Sequence, residues 1–289
     1  MSVIVGAMNI LSIQSHVAYG HVGNSAAVFA LQRLGIEVWP VHTVQFSNHP
    51  GYGGHRGRAF DGDLIRDVVQ GIEDRGVLGT CDGVLSGYLG SADIGPAILD
   101  AVARVRRANR QVRYCCDPVI GDIGAGVYVQ PGVADFIRQH AVPAADVVTP
   151  NLFELGHLTG RSTRNTGEVL QAAHALRAMG PRIVLVTSLM SDETPDGAIE
   201  LVTCDDTGAY RLRTPKLPIA ANGAGDVIAA LFLAHLIRSG SAAEALSLAA
   251  SSVFGILKRT AEAGSREILL IEAQDELVKP SASFRAESF

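Results

Sequence analysis

Lysine is almost missing from this chain. Its 289 residues include only Lys216, Lys258 and Lys279. None follows a glycine, so the GxxxxGK[ST] phosphate loop is excluded. The HRD and DFG elements of protein kinases and the GxSxG elbow of serine hydrolases are absent as well. Cysteine is scarce: Cys81, Cys115, Cys116 and Cys204 form no CxxC pair. That argues against a disulfide scaffold or zinc ribbon and for reduced thiols in a cytoplasmic protein. With a net charge of -5 and no Lys/Arg cluster interleaved with aromatics, the chain lacks the footprint of a nucleic-acid binder. No apolar run approaches the roughly 20 residues of a membrane span. The opening MSVIVGAMNIL has neither a basic flank nor a cleavage site, so no export signal is expected.

What is present is a regular alternation. Short apolar runs at 8–14, 37–44, 82–88, 112–119, 145–150 and 182–188 alternate with helix-like segments near 24–34, 61–74, 92–109, 131–140, 151–160 and 165–179. The runs are continuously apolar, as strands covered on both faces are. Two alternating stretches, 198–204 and 209–214, then read as a β-hairpin, and helices near 223–239 and 241–261 follow. The expected architecture is α/β, one doubly wound, mostly parallel sheet with helices on both faces, in a single domain over 1–289. Residues 1–7 read as a loose extension or an upstream start, and the segment from about 279 to 289 as a loose tail.

Ligands of such sheets bind beyond the carboxyl ends of the strands, which directs attention to the loops there. In SIQSHVAYGHVGNSAA (12–27), Ser15 and His16 end a strand before Gly20 and Gly23 lead into a helix. The loop presents either a hydroxyl and amides to a ligand or an ordinary turn capped by Asn24 or Ser25. FSNHPGYGGHRG (46–57) carries His49, Tyr52 and His55 without HxH or HExxH spacing, so it reads as a lid or substrate loop rather than a metal site. Asp117 follows a strand and opens a glycine-broken flap through Asp122; it is either a holder of a divalent metal or an Asx turn. In TPNLFELGHLTG (149–160), Asn151 and Glu154 have capping-box spacing and also flank the crevice of Asp117, where they could order metal-bound water.

The stretch ANGAGDVIAALFLAHL (221–236) places Gly223, Ala224, Gly225 and Asp226 at the mouth of a helix that is apolar on nearly every side. Its first amides carry roughly half a positive charge, an anion site strengthened by low dielectric. Asp226 either complements the helix dipole or accepts a proton from a substrate hydroxyl while the amides stabilise a transferring phosphoryl group.

Taken together and in this order, SIQSHVAYGHVGNSAA, VQFSNHPGYGG, VLSGYLGS, CDPVIGD, TPNLFEL and NGAGD resemble the ribokinase superfamily and, within it, the pyridoxal kinases, over about residues 8 to 280. The resemblance implies a ribokinase-like fold and ATP-dependent phosphorylation of the 5′-hydroxymethyl group of pyridoxal. It implies Asp226 as base with Gly223, Ala224 and Gly225 as anion hole. Ser15 would bond the polar edge of the pyridine ring, with Val22, Phe46, His49 and Tyr88 around it. Asp117, Thr149, Asn151, Glu154, Thr187 and Ser188 would serve ATP phosphates and Mg²⁺, with Asp117 and Glu154 nearest the metal. Thr214, Pro215, Lys216 and Leu217 would lie beside the nucleotide. A homodimer and a monovalent cation such as K⁺ are implied too. Two departures stand out: Pro50 replaces the family's frequent threonine after His49, and Thr187 stands where one bacterial branch has lysine. They keep two alternatives open, a vitamin B6-binding or regulatory protein with weak catalysis, and a related kinase of hydroxymethylpyrimidine or a sugar.

Overall fold

The computed structural model describes residues 8–219 and 221–289. The expected extension at 1–7 lies outside the described residues.

Ten strands form one sheet. In chain order its strands are β1 (Asn9–Val17), β2 (Glu37–Phe46), β3 (Gly57–Ala59), β4 (Gly83–Ser86) and β5 (Arg113–Cys116). Two short strands, β6 (Gly121–Asp122) and β7 (Gly126–Val127), pair only with each other. The sheet continues with β8 (Val147–Val148), β9 (Ile183–Leu189), β10 (Ala198–Cys204), β11 (Ala209–Pro215) and β12 (Glu287–Ser288). The spatial order is β12-β11-β10-β9-β8-β5-β4-β1-β2-β3. The six strands from β9 to β2 are mutually parallel, and antiparallel strands close both edges. The β10–β11 pair is the hairpin expected near 198–214.

Successive strand residues serve opposite faces. Val84, Cys116, Val148 and Val184 enter a core shared with helices Gly62–Glu73, Ile94–Ala108, Leu152–Thr159 and Thr166–Arg177. Their neighbours Leu85, Cys115, Val147 and Leu185 enter a second core under helices Asn24–Arg33, Ala224–Ser239 and Ala242–Glu262. This two-sided burial is why those strands lack polar alternation. Helix Ala224–Ser239 is buried from Val227 to Ala234 and at Leu236, which accounts for its all-round apolar surface.

From β1 the chain goes to β2 on one side and returns to β4 on the other, so the strand order reverses between β1 and β4. The carboxyl ends of these two strands therefore flank a crevice of the kind that takes ligands in doubly wound sheets.

Two local expectations are corrected. The segment from 279 to 289 is tied down rather than loose: β12 pairs with β11, Phe284 stacks edge-on against Phe254 at 4.9 Å, and the Phe284 and Ala286 amides donate to Ser251 and Ser247. Serine-rich composition hid a segment whose backbone bonds are met by partners far away in sequence. Neither Asn24 nor Ser25 caps the first helix. Gly23 occupies that position without a side-chain bond, because Ser25 Oγ donates to the Val17 carbonyl and Asn24 is buried in a knot with Ser12 and the Val41 carbonyl.

Candidate active site

Each parallel strand delivers polar residues to the same edge. Ser15 is buried near the end of β1, and Asp117 and Thr149 are buried just beyond β5 and β8. Thr187 is buried near the end of β9. Thr214 reaches the edge from β11, which runs parallel to β9 because two antiparallel steps separate them. Pro215 and Lys216 are exposed beside it and Leu217 half-buried.

Asp117 shows no Asx turn. Its Oδ1 instead accepts from Thr149 Oγ1 at 2.9 Å, joining the ends of β5 and β8. Burial, with the Glu154 and Asp226 carboxylates nearby, holds its carboxyl well above the usual range. Glu154 completes the capping box with Asn151, and it does more than cap. One oxygen accepts from the Asn151 amide at 2.9 Å and the other from Ile120 N at 2.9 Å and Gly121 N. Asn151 Nδ2 donates to the Gly121 carbonyl at 2.8 Å. Glu154 and Asn151 thus clamp the root of the β6–β7 flap. Burial still raises the Glu154 carboxyl, against the three amides that lower it.

Ser188 follows with φ at 52°, the left-handed region that serine enters at a cost of order 1–3 kcal/mol. It is the only non-glycine with positive φ among the described residues. Its backbone is bent at the place expected to meet a nucleotide.

The anion loop is built by close approach. Gly223 has φ at 93°, and a Cβ there would run into the His21 carbonyl. This seats the first loop directly on the start of helix Ala224–Ser239, which has no side-chain cap. Gly225 differs: it is exposed, and a Cβ would meet nothing within 4 Å. Asp226 keeps part of its surface open while dense protein surrounds the rest. That burial lifts its carboxyl to about 6, opposed by the Gly23 amide that faces it.

Val22 is buried, and Phe46, His49 and Tyr88 are half-buried, at or just beyond the carboxyl ends of β1, β2 and β4. His55 packs tilted against Phe46, with 4.3 Å between ring centroids. His49 uses Nδ1 to accept from Gly51 N at 3.1 Å, capping the short turn Pro50–Tyr52. Pro50 sits at the first position of that turn, where its missing N–H costs nothing. Sequence reasoning missed the Gly23 amide, the packing of His55 on Phe46 and Glu267, whose carboxylate meets the first loop and Tyr52. No spacing signals them, since each depends on segments brought together by the fold.

Among the described residues no group of three or more His, Cys, Asp or Glu could hold a metal by itself. Asp117 and Glu154 nevertheless are buried hard oxygen donors near each other, each raised by burial that the Thr149 hydroxyl and the three backbone amides offset only in part. That suits Mg²⁺, which takes one or two carboxylates and completes its shell with phosphates and water.

Residues 79–270 match the family model for phosphomethylpyrimidine kinase. A pyridoxal kinase, PdxY, of Granulibacter bethesdensis is 57% identical over 97% of this chain and 99% of its own length. Another PdxY, of Rubrobacter xylanophilus, is 55% identical over 96% and 97%. The solved structure of pyridoxal kinase from Leishmania donovani in complex with ADP and pyridoxamine superposes with a TM-score of 0.90 at 30% identity, covering 97% of this chain and 99% of that one.

Proposed function

The chain belongs to the pyridoxal kinase family, and from that premise we infer that it transfers the γ-phosphoryl group of ATP to the 5′-hydroxyl of pyridoxal. The products are pyridoxal 5′-phosphate and ADP. The observation that carries the reading is Asp226 at the first turn of the buried helix, beside the amides of Gly223–Gly225 and against the Ser15–Gly23 loop.

In this reading Asp226 accepts the hydroxyl proton as the alcohol oxygen bonds to the γ-phosphorus and the bond to the β-phosphate oxygen breaks. The 223–225 amides offset charge on the moving phosphoryl group. Ser15 holds the ring's polar edge, with Val22, Phe46, His49 and Tyr88 as walls. Thr149, Asn151, Thr187, Ser188 and the 214–217 segment hold the nucleotide. Asp117 and Glu154 would hold Mg²⁺, which neutralises phosphate charge when bound. Potassium, a homodimer and a cytoplasmic setting belong to the same reading. Four free, buried thiols support the last.

The alternative of a binding protein with weak catalysis rests on Pro50 and Thr187, and Pro50 fits the first position of its turn. Hydroxymethylpyrimidine remains a competitor because of the family model that matches 79–270.

A Mg·ATP assay over pyridoxal, pyridoxine, pyridoxamine, hydroxymethylpyrimidine and ribose tests the reading, with highest kcat/KM expected for a B6 vitamer. Asp226→Asn should keep ATP binding and lose roughly 10²–10⁴-fold in turnover. The wild-type acid limb in kcat/KM near pH 6 should be missing from the residual activity of that variant. Near-normal turnover in Asp226→Asn would remove Asp226 from its role.

A further inference from the structure

Glu267 lies far along the chain from every motif of the site, yet its carboxylate touches two of them. One oxygen accepts from the Tyr52 hydroxyl in the 47–56 lid. The other accepts from His21 N in the first loop at 3.3 Å. Gly20, with φ at 93°, leaves the space this carboxylate fills, because a Cβ there would collide with it. The Glu267 backbone bridges to Asn222, immediately before the anion loop. Ser265 braces it, accepting from Glu267 N at 3.2 Å and donating to its carbonyl at 2.7 Å. The neighbouring Arg266 guanidinium lies 5.6 Å from the centre of the Tyr52 ring.

The first loop that Glu267 grips is the one whose Gly23 amide faces Asp226 and whose His21 carbonyl rests on Gly223. The lid it grips descends from Phe46 and is joined to the first loop at its root, where Tyr19 N donates to the Ser47 carbonyl at 2.9 Å, while the rest is held mainly within itself. Asn48 Nδ2 donates to the Gly54 carbonyl at 2.8 Å, and Ser47 N to that of Arg56 at 2.7 Å.

We propose that Glu267 is a positioning residue that latches the Tyr52 lid to the first loop and the anion loop, so that closure over the acceptor and placement of Asp226 are one event. This rests on the kinase reading above. A charge-assisted hydrogen bond from a phenol is a strong tether for a short loop, and the same carboxylate cannot hold the lid without also holding His21.

The test is a double-mutant cycle of Tyr52→Phe and Glu267→Gln in the full-length enzyme. KM is measured for pyridoxal and for ATP, and Kd for pyridoxal is titrated in the presence of a non-hydrolysable ATP analogue. Tyr52→Phe should raise KM and Kd for pyridoxal on the order of ten-fold while KM for ATP stays within about two-fold. Glu267→Gln should do the same and also lower kcat, and the double variant should be no weaker for pyridoxal than Glu267→Gln. The latch is overturned if Tyr52→Phe leaves pyridoxal affinity unchanged, if both KM values move together, or if the two effects multiply. Tyr52→Phe decides alone if Glu267→Gln does not fold. A wild-type enzyme that binds pyridoxal but phosphorylates none sinks the kinase reading instead, and the affinity cycle still judges the latch.

Discussion

Gly223 and Gly225 stand two residues apart and are glycines for different reasons. Gly223 answers to the protein, since its φ and the His21 carbonyl both forbid a side chain. Gly225 answers to nothing in the protein, for a methyl group there would meet open space. Gly223→Ala should therefore lower the melting temperature and displace the first loop. Gly225→Ala should melt at or slightly above wild type, because the helix gains about 0.4–1 kcal/mol when glycine becomes alanine. Its kcat should still fall at least ten-fold, since the methyl occupies the face expected to meet phosphate. Thermal melts paired with steady-state kinetics separate the two glycines. Loss of stability in Gly225→Ala would show that its role too is structural.

The flap from Gly121 to Val127 depends on a helix it does not belong to. Glu154 gathers the Ile120, Gly121 and Asn151 amides, so Glu154→Gln should loosen the flap root and the helix cap together. A several-fold rise in KM for ATP and a stability loss of about 1–2 kcal/mol are expected, read by kinetics and denaturant melts. An unchanged KM for ATP would separate the flap from the nucleotide. Much at this scale was legible beforehand, because the 3.6-residue and two-sided apolar patterns are local. The capping box at Asn151 and Glu154 and the hairpin of β10 and β11 were visible as spacing. The Asn24 knot, the Gly23 amide and the pairing of β12 were not, since each is decided by a partner remote in sequence. Asn24 reads as a cap because asparagine is favoured at that position; four buried partners, the Ser12 hydroxyl and the Ser12, Gln14 and Val41 carbonyls, override that preference.

Across the whole molecule, the Asp117, Glu154 and Asp226 carboxyls are all held above their ordinary ranges, and the first cause in each is burial. The folded chain holds these protons at pH values where the unfolded chain has released them. Their contribution to stability is therefore complete below about pH 4 and drains away as pH rises through the raised values, about 6 for Asp226 and about 7 for Glu154. The ligand-free enzyme should melt at a lower temperature at pH 8 than at pH 5.5. Asp226→Asn should narrow that gap, and Mg²⁺ with nucleotide should raise the pH 8 value. A melting temperature that climbs between pH 5.5 and 8 in the ligand-free enzyme would contradict this balance.

The alternation of Cys115 and Cys116, or of Val147 and Val148, between two cores acts as a parity rule for the enzyme. Each strand carries an even or odd count from its first buried residue to the polar group at its tip. Deleting one residue from β5 would exchange the two cysteines between the cores and also turn Asp117 away from Thr149. Chemistry at the edge thus inherits an error made in the middle of the sheet. Whole loops can lengthen or change without that penalty, so new acceptors are open to this scaffold through its loops, while its strands admit changes only two residues at a time.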